Sequence, residues 1–385
     1  MKIAYLLSHP VQYQAPMLRR FAREPGLELT ALYRSTMGSE AFFDEGFGHE
    51  VEWGLDLLGG YEHRFLRGLW ANARPTFWQP WPLDLFGELK RGGYQALWVH
   101  GYGSAPNLLA LLMAKLLGIR TLLRDDVHEL SRRRTPLKRF VGKLIFMYLA
   151  LVVDRFMAVG SRNEQYFLAK GIPARKIFRM PWAVDNDYFR VETPEQKRQA
   201  KRALAADMAF SSDALIFLFA GKLQSDKRCD DLIRAFATVP GGSVLLIAGD
   251  GPCKEELRAL ANEGDGADIR FLGFKPPQAL AQLYRAADVL VMPGLRETWG
   301  LVVNEAMVAR CAVIVGEEIG CAPDLVRDGV NGFQIRTGDL AQLSQRLERF
   351  VVEPALVERM GKASSTIMAT WSYDEDVAAV KSALA

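Results

Sequence analysis

The chain has 385 residues, of which 49% are apolar and 24% are charged, and its formal net charge is +3 at pH 7. This length suits two domains with ordinary globular cores, and so small a net charge gives no reason to expect nucleic acid as a partner. The four cysteines show no zinc-binding spacing, no secretory signal is recognised and the longest apolar stretch (Leu144 to Val153) is too short to cross a bilayer as a helix, so we expect a cytoplasmic protein.

The first half of the sequence alternates short apolar runs with amphipathic stretches of helix length, interrupted by an irregular, aromatic-rich stretch from Phe42 to Trp81. The predicted strands are Lys2–Ser8, Leu27–Tyr33, Ala96–His100, Arg120–Arg124, Arg155–Val159 and Ile177–Met180. The predicted helices are Gln14–Arg23, Leu83–Gly92, Pro106–Leu117, Leu137–Val153 and Asn163–Lys170. An exposed, charged helix, Thr193 to Arg202, marks a domain boundary.

The second half repeats the alternation with shorter connections. The predicted strands are Leu215–Ala220, Ser243–Ala248, Ile269–Leu272, Val289–Met292, Ala312–Val315 and Gly332–Ile335. The predicted helices are Cys229–Ala237, Cys253–Asn262, Pro277–Ala287, Leu301–Ala309 and Leu340–Phe350. Repeated strand–helix units of this kind form parallel sheets covered by helices. We therefore predict an α/β protein with two Rossmann-like parallel-sheet domains facing a central cleft, where ligands bind at the carboxyl ends of the strands.

Two glutamates give the sharpest functional signal. Glu297 lies in the loop between a buried strand and the helix that begins at Leu301, and Glu305 lies about one turn into that helix. The backbone amides of Gly300, Leu301 and Val302 lie between them, at a helix N-terminus that favours phosphate. Acids on both sides of a phosphate site suit a nucleotide-sugar, which places a sugar and a ribose on either side of a diphosphate.

A second loop supplies cations. Gly221, Lys222 and Lys227 follow the strand Leu215–Ala220, and the two lysines are candidates to neutralise a diphosphate leaving group. Two solvated surface lysines are the alternative. Gly251 ends the next strand, where it either admits a nucleotide close to the backbone or simply makes a turn before Pro252.

These motifs together resemble a known family. Gly221-Lys-Leu…Lys227, Gly249-Asp-Gly-Pro252, Pro293-Gly-Leu-Arg-Glu297-Thr-Trp-Gly300…Glu305 and Asp328-Gly-Val-Asn-Gly332 occur in the order and spacing of the group 1 (family 4) retaining glycosyltransferases of the GT-B fold. The resemblance covers the second domain and extends weakly over the first. The family more often has arginine at the position of Lys222, which leaves the donor undefined.

The resemblance implies a metal-independent, retaining hexosyltransferase without a cofactor that uses a UDP- or GDP-sugar. Glu305 would bind the ribose, Glu297 would contact the donor sugar, and Lys222 and Lys227 would hold the diphosphate. Thr298 would belong to the same donor- and nucleotide-binding set. It also implies domains at 1–185, for the acceptor, and 186–365, for the nucleotide-sugar. Residues 366–385 would form a helix that crosses back to the first domain.

Candidates in the first domain follow its strands. His9 and Gln12 follow the first strand, Tyr102 follows the strand Ala96–His100, and Arg124, Asp125 and His128 belong to the loop that would serve the sugar and the acceptor. We predict Arg124 and His128 as catalytic candidates beside Glu297 and Lys227. For each of them the alternative is a surface or capping role.

A basic segment, Arg132 to Lys143, precedes the apolar run from Leu144 to Val153. A basic face with an apolar stripe predicts peripheral contact with an anionic inner membrane, and relatives often act on lipid-linked glycan acceptors of glycan, polysaccharide or glycolipid biosynthesis. The alternative is a solvated helix start that runs into a core helix.

Three rival functions stay open: a nucleotide-sugar epimerase, a sugar phosphorylase with pyridoxal bound to a lysine, and an inactive sugar-nucleotide-binding protein. We expect no metal site, because neither Asp185-Asn-Asp187 nor Asp374-Glu-Asp376 follows a buried strand as the Asp-x-Asp motif of metal-dependent transferases would.

Overall fold

The chain forms two compact units in a computed structural model that describes residues 1–38, 42–44, 46–51, 53–131, 134–264 and 266–385. The first unit comprises Met1–Phe42, Glu52–Trp182 and Tyr373–Ala385. The second unit comprises Phe43–Val51 and Ala183–Ser372. The first unit thus includes the last residues of the chain, and the second includes a short segment from near its beginning.

Most of the strands are short apolar runs. They are β1 (Lys2–Leu7), β2 (Glu28–Tyr33), β3 (Phe42–Asp44), β4 (His49–Val51), β5 (Glu62–Phe65), β6 (Gly68–Leu69), β7 (Trp81–Pro82), β8 (Ala96–His100), β9 (Arg120–Asp125), β10 (Arg155–Ala158), β11 (Ile177–Arg179), β12 (Leu215–Ala220), β13 (Ser243–Ala248), β14 (Asp268–Gly273), β15 (Val289–Met292), β16 (Ala312–Gly316) and β17 (Gly332–Ile335).

Helices connect most of these strands. They are α1 (Ala15–Ala22), α2 (Leu85–Gly92), α3 (Ala105–Leu116), α4 (Pro136–Val152), α5 (Ser161–Ala169), α6 (Asn186–Phe189), α7 (Pro194–Met208), α8 (Cys229–Phe236), α9 (Lys254–Asn262), α10 (Pro277–Ala286), α11 (Leu301–Val308), α12 (Ala322–Leu325), α13 (Leu340–Val352), α14 (Ala355–Met368) and α15 (Tyr373–Leu384).

The first unit is built on a parallel sheet with the order β11-β10-β9-β8-β1-β2-β5. Alternate residues of β1 enter different cores: Ile3 and Tyr5 pack with α1 and α15, whereas Ala4 and Leu6 pack with α2 to α5. Both faces of the sheet are therefore covered, which explains why the central strands read as continuous apolar runs.

The second unit is built on a parallel sheet with the order β14-β13-β12-β15-β16-β17. Successive strands run outward in opposite directions from β12 and β15, so the switch point of the sheet lies between these two strands. Ligands of open parallel sheets bind at the carboxyl ends of the strands beside such a switch point. In the first unit, the same reasoning identifies β1 and β8.

The predicted fold class is confirmed in its architecture, since both units are Rossmann-like parallel sheets. The prediction missed β5, whose residues alternate between exposed and half-buried at the edge of the sheet, because an edge strand lacks the apolar run of a buried one. It also missed α14. The exposed helix at the predicted boundary is longer than expected, since α7 continues to Met208.

Candidate functional site

Glu297 lies in the loop between β15 and α11, as predicted. Gly300, the N-cap of α11, has a φ of 98°, and a Cβ there would lie 3.1 Å from Ile319 Cγ2 and 3.3 Å from Met292 Sδ. Only glycine meets both demands without strain, because L side chains rarely adopt this conformation. The glycine thus lets the chain enter α11 directly and presents the first amides of the helix at the end of β15.

Lys227 and Glu297 form an ion pair, in which Lys227 Nζ donates to Glu297 Oε2. The loops that carry them follow β12 and β15, the two strands at the switch point, and a backbone hydrogen bond of 2.8 Å from Leu295 to Asp226 ties these loops together. The side chains are 18% and 25% exposed, so both remain within reach of a ligand. The structure thus brings together two residues that the sequence predicted separately.

Lys222 is paired as well, with a residue that the sequence did not single out. Its Nζ lies 2.7 Å from Asp44 Oδ1 and 4.7 Å from the centre of the Phe47 ring. Burial acts to raise the pKa of Asp44, but the hydrogen bond and charge of Lys222, together with the backbone amides of Phe47 and Gly46, outweigh it and lower that pKa. The Phe47 ring in turn contacts Phe274 at 4.8 Å. Nothing in the irregular stretch around Asp44 signals this partner.

Gly251 lies where the loops after β12 and β13 meet. Its φ is 154°, and a Cβ there would lie 2.6 Å from the carbonyl oxygen of Leu223, in the loop that also holds Gly221 and Lys222. This contact with the protein's own backbone accounts for the glycine, so its predicted contact with a nucleotide stays a prediction.

Glu305 is half-buried in α11. Loss of hydration on burial raises the pKa of its carboxyl to about 7, with the nearby hydroxyl of Tyr284 acting in the opposite direction. The carboxyl therefore changes charge near neutral pH. Thr298, Leu301 and Val302 complete the predicted set at the start of this helix, and the loop is fixed by a hydrogen bond of 3.1 Å from Gly320 N to the carbonyl oxygen of Glu297.

In the first unit, His9 and Gln12 follow β1 and Tyr102 follows β8, the strands at its switch point. His9 Nδ1 is 2.9 Å from Ser8 Oγ, and burial, assisted by the charge of Arg34, lowers the pKa of His9 to about 4. The amide oxygen of Gln12 is buried, and no described residue forms a hydrogen bond with it. The hydroxyl of Tyr102 lies 3.4 Å from that of Tyr166, and burial raises its pKa.

The prediction that Arg124 and Asp125 belong to a loop is wrong, because β9 continues through Asp125. The Arg124 side chain is fully buried: it donates to the carbonyl oxygen of Pro181 at 2.7 Å, lies over the Trp182 ring at 4.3 Å and is 3.6 Å from Asp376. Among the described residues, Asp376 already supplies the acid that faces Arg124, and the side chain is not exposed at all, so its assignment as a catalytic candidate is withdrawn.

His128 and Asp125 are buried too, at 2% and 7% exposure. Asp125 accepts a hydrogen bond of 2.8 Å from Val127 N, and the carbonyl oxygen of His128 accepts one of 2.8 Å from Ser131 Oγ. These contacts shape the turn after β9, so both residues have a local structural role, and their part in catalysis or acceptor binding stays a prediction.

Two broader features bear on partners. In the part of the chain that the structure describes, no helix is long and apolar enough to cross a membrane. Over the same residues, no three histidine, cysteine, aspartate or glutamate side chains lie together in a way that could hold a metal ion.

Comparisons with known proteins identify related chains. Residues 201–366 match the family model described as glycosyl transferases group 1. A D-inositol 3-phosphate glycosyltransferase of Streptomyces avermitilis is 33% identical over 259 residues, which are 62% of this chain and 52% of the relative. The enzyme of the same name from Streptomyces scabiei is 36% identical over 279 residues, 67% of this chain and 57% of the relative. The chain thus spans about half the length of the curated relatives it matches.

Among solved structures, Anabaena HepE in complex with UDP matches over 99% of both chains with a TM-score of 0.73 at 14% identity. HepE in complex with UDP-glucose matches over the same shares with a TM-score of 0.71 at 15% identity. Identities this low show the fold alone. The chain therefore has the GT-B fold of two Rossmann-like domains, and its residues 201–366 match the model of the group 1 glycosyl transferase family.

Proposed function

We propose that this protein is a retaining glycosyltransferase that moves a hexose from a nucleotide diphosphate sugar to an acceptor hydroxyl. The observation that carries the proposal is the Lys227–Glu297 pair beside the N-terminus of α11, with Glu305 farther along the same helix. Cations and helix amides of this kind stabilise a diphosphate as it leaves. HepE binds UDP and UDP-glucose, which makes a UDP-sugar the first donor to test.

In this proposal each group has a distinct task. Lys227 exchanges its bond to Glu297 for one to the diphosphate, and the released Glu297 carboxylate accepts hydrogen bonds from sugar hydroxyls. Lys222 makes the same exchange with Asp44. Glu305 receives the ribose hydroxyls. Catalysis then rests on positioning and on stabilisation of the leaving diphosphate, and no side chain of this site is assigned as a nucleophile.

The test is a screen of the purified protein with UDP- and GDP-sugars and a panel of hydroxyl acceptors, followed by mass spectrometry and by NMR of the anomeric configuration. We expect glycosylated product with the donor's configuration, activity that persists in EDTA, and at least a tenfold loss of turnover in Lys227→Ala, because the leaving charge loses its cation. Product of inverted configuration would contradict retention.

The same screen separates the rivals. An epimerase would convert the donor sugar without an acceptor, a phosphorylase would require a bound pyridoxal cofactor, and an inactive binding protein would bind UDP without turnover. The relatives named glycosyltransferases favour transfer over all three.

We further propose that α4 contacts an anionic membrane. An enzyme held at a membrane suits a lipid-linked acceptor, which we propose as the acceptor class. Six large apolar side chains of this helix are exposed at helical spacing on the side away from the core: Leu137, Phe140, Val141, Leu144, Met147 and Leu151. The exposed cations Lys138, Arg139 and Lys143 flank this stripe. An apolar face bordered by cations is typical of helices that lie in a membrane interface.

The structure describes only part of the predicted basic segment, Arg132 to Lys143. Residues 132 and 133 lie outside the described part of the chain. Arg134 packs over the Tyr166 ring at 4.8 Å and lies 3.8 Å from Glu129. The proposal therefore rests on α4 itself.

The membrane proposal is tested by flotation with vesicles that contain phosphatidylglycerol. We expect the protein to float with these vesicles, and Leu144→Glu to abolish flotation because a charge in the stripe opposes its burial. Val352→Glu, a matched change at an exposed apolar residue of α13, should float like the parent protein. Equal flotation of all three would show that α4 does not face the membrane.

A further inference from the structure

Arg34 is a buried cation at the carboxyl edge of the sheet in the first unit. It directly follows β2, and the residue is only 3% exposed. Backbone hydrogen bonds from Arg34 N to Leu7 O (3.1 Å) and from Ser35 N to Ser8 O (2.8 Å) keep the chain beyond β2 beside the chain beyond β1. Arg34 therefore lies next to the loop that holds His9.

The guanidinium of Arg34 has fewer partners than it can use. Nη1 donates to the carbonyl oxygen of Pro80 at 3.0 Å, while Nε is buried and has no partner among the described residues. Among the residues that the structure describes, none offers Arg34 a carboxylate within ion-pair distance. Burial lowers the pKa of Arg34 to about 10, which still leaves it charged at neutral pH. A guanidinium has five N–H donors, and burying its charge without an acid is costly.

The adjoining loop adds neutral groups and no acid. His9 is uncharged at neutral pH, since its pKa is lowered to about 4, and its ring supplies one donor and one acceptor. The amide oxygens of Gln12 and Gln14 are buried and have no hydrogen-bond partner in the part of the chain that the structure describes, so both keep an unused acceptor for a hydroxyl. The segment between β1 and α1 thus has acceptors without hydrogen bonds, and the neighbouring Arg34 has a donor without one.

We propose that Arg34 binds an anionic oxygen group, a phosphate or a carboxylate, on a hydroxyl-rich acceptor whose other hydroxyls reach Gln12 and Gln14. A guanidinium fork grips such groups through two parallel hydrogen bonds. The bound anion would supply the negative charge that pairs with Arg34. Ligands of parallel sheets are also expected at the carboxyl edge beside the switch point, where Arg34 lies. The inference rests on the proposed function only in naming the ligand as the acceptor.

The experiment is calorimetry on the full chain, saturated with UDP so that the lysines of the second unit are occupied, at a fixed ionic strength set with potassium chloride. The probes are glucose 6-phosphate, glucuronate and glucose. We expect one of the two anionic probes to bind at least tenfold more tightly than glucose, and Arg34→Met to remove this preference. Which anion prevails distinguishes phosphate from carboxylate.

Arg67→Met is the matched control, because Arg67 is an exposed arginine that follows β5 at the same edge of the sheet. It should keep the preference within about twofold, as expected for a screened surface charge. Equal binding of all three probes to the parent protein would overturn the proposal, and would leave Arg34 as a tie to the carbonyl of Pro80.

If Arg34→Met does not fold, Arg34→Lys decides the question. Lysine keeps the charge and loses the fork, so we expect the preference for the anion to fall several-fold. An unchanged preference would contradict binding by Arg34. The UDP titration that precedes each experiment reports on the proposed function separately, since UDP binding belongs to the second unit.

Discussion

At the scale of single residues, charges in the second unit are balanced in a way that a ligand can change. Lys227 is paired with Glu297, and Glu305 is half-buried with its pKa raised to about 7. Because this pKa lies above the ordinary value of 4.5, the folded protein loses stability as the pH rises between the two values. Ribose hydroxyls that donate to the carboxylate would favour its charged form.

We therefore expect the affinity for UDP-glucose to rise about tenfold between pH 6 and pH 8, because a group with this pKa goes from roughly a tenth to roughly nine tenths ionised. The diphosphate is esterified at both ends and does not titrate in this range. Glu305→Gln should bind more weakly at pH 8 and show a flat profile by calorimetry. A flat profile in the parent protein would remove Glu305 from the ribose site.

At the scale of elements, the segment that holds β3 and β4 supplies a carboxylate to the loop after β12. Asp44 holds Lys222 at 2.7 Å, and its carboxylate also accepts from Gly46 N (2.7 Å) and Phe47 N (3.1 Å), which fixes the turn between the two strands. A diphosphate that uses Lys222 must compete with this carboxylate.

Asp44→Asn should strengthen UDP binding about two- to fivefold, because partly exposed ion pairs contribute ~0.2–1 kcal/mol. Calorimetry measures the UDP affinity of this variant and of Lys222→Ala. We expect Lys222→Ala to bind UDP more weakly, because that change removes the cation. Weaker binding by Asp44→Asn would mean that Asp44 itself contacts the ligand.

At the scale of the whole molecule, the end of the chain completes the core of the first unit. Val377, Val380 and Leu384 of α15 pack with residues of β1 and α1, and Arg155 Nε donates to Ala383 O at 3.0 Å. On the same helix, Asp376 lies 3.6 Å from the buried Arg124.

Asp376→Ala should lower the free energy of unfolding by ~3–5 kcal/mol, because it leaves Arg124 buried without its acid. Urea unfolding followed by tryptophan fluorescence measures this loss. Asp374→Ala is the control: Asp374 also pairs with an arginine, Arg20, but is 73% exposed, so its removal should cost less than ~1 kcal/mol. Equal losses would show that the buried pair contributes no more than a surface pair.

The sequence determined most of the alternation of strands and helices, since continuous apolar runs mark strands that are buried on both faces. It also placed Lys227 and Glu297 in loops that follow predicted strands, and Glu305 about one turn into the next helix. That these two strands are neighbours followed only from the observed strand order. The position of Gly300 at the start of the helix was predicted as well, but its left-handed conformation was seen only in the structure.

Only the tertiary structure decided which charged groups are free and which are paired. Arg124 and His9 both follow or end apolar strands in the sequence, yet the first is enclosed by Trp182 and Asp376 and the second lies in a half-buried loop. The partners Asp44 for Lys222 and Asp376 for Arg124 come from distant parts of the chain. Local patterns determine elements, but burial and ion pairing depend on which distant segments pack together, and no local pattern specifies that.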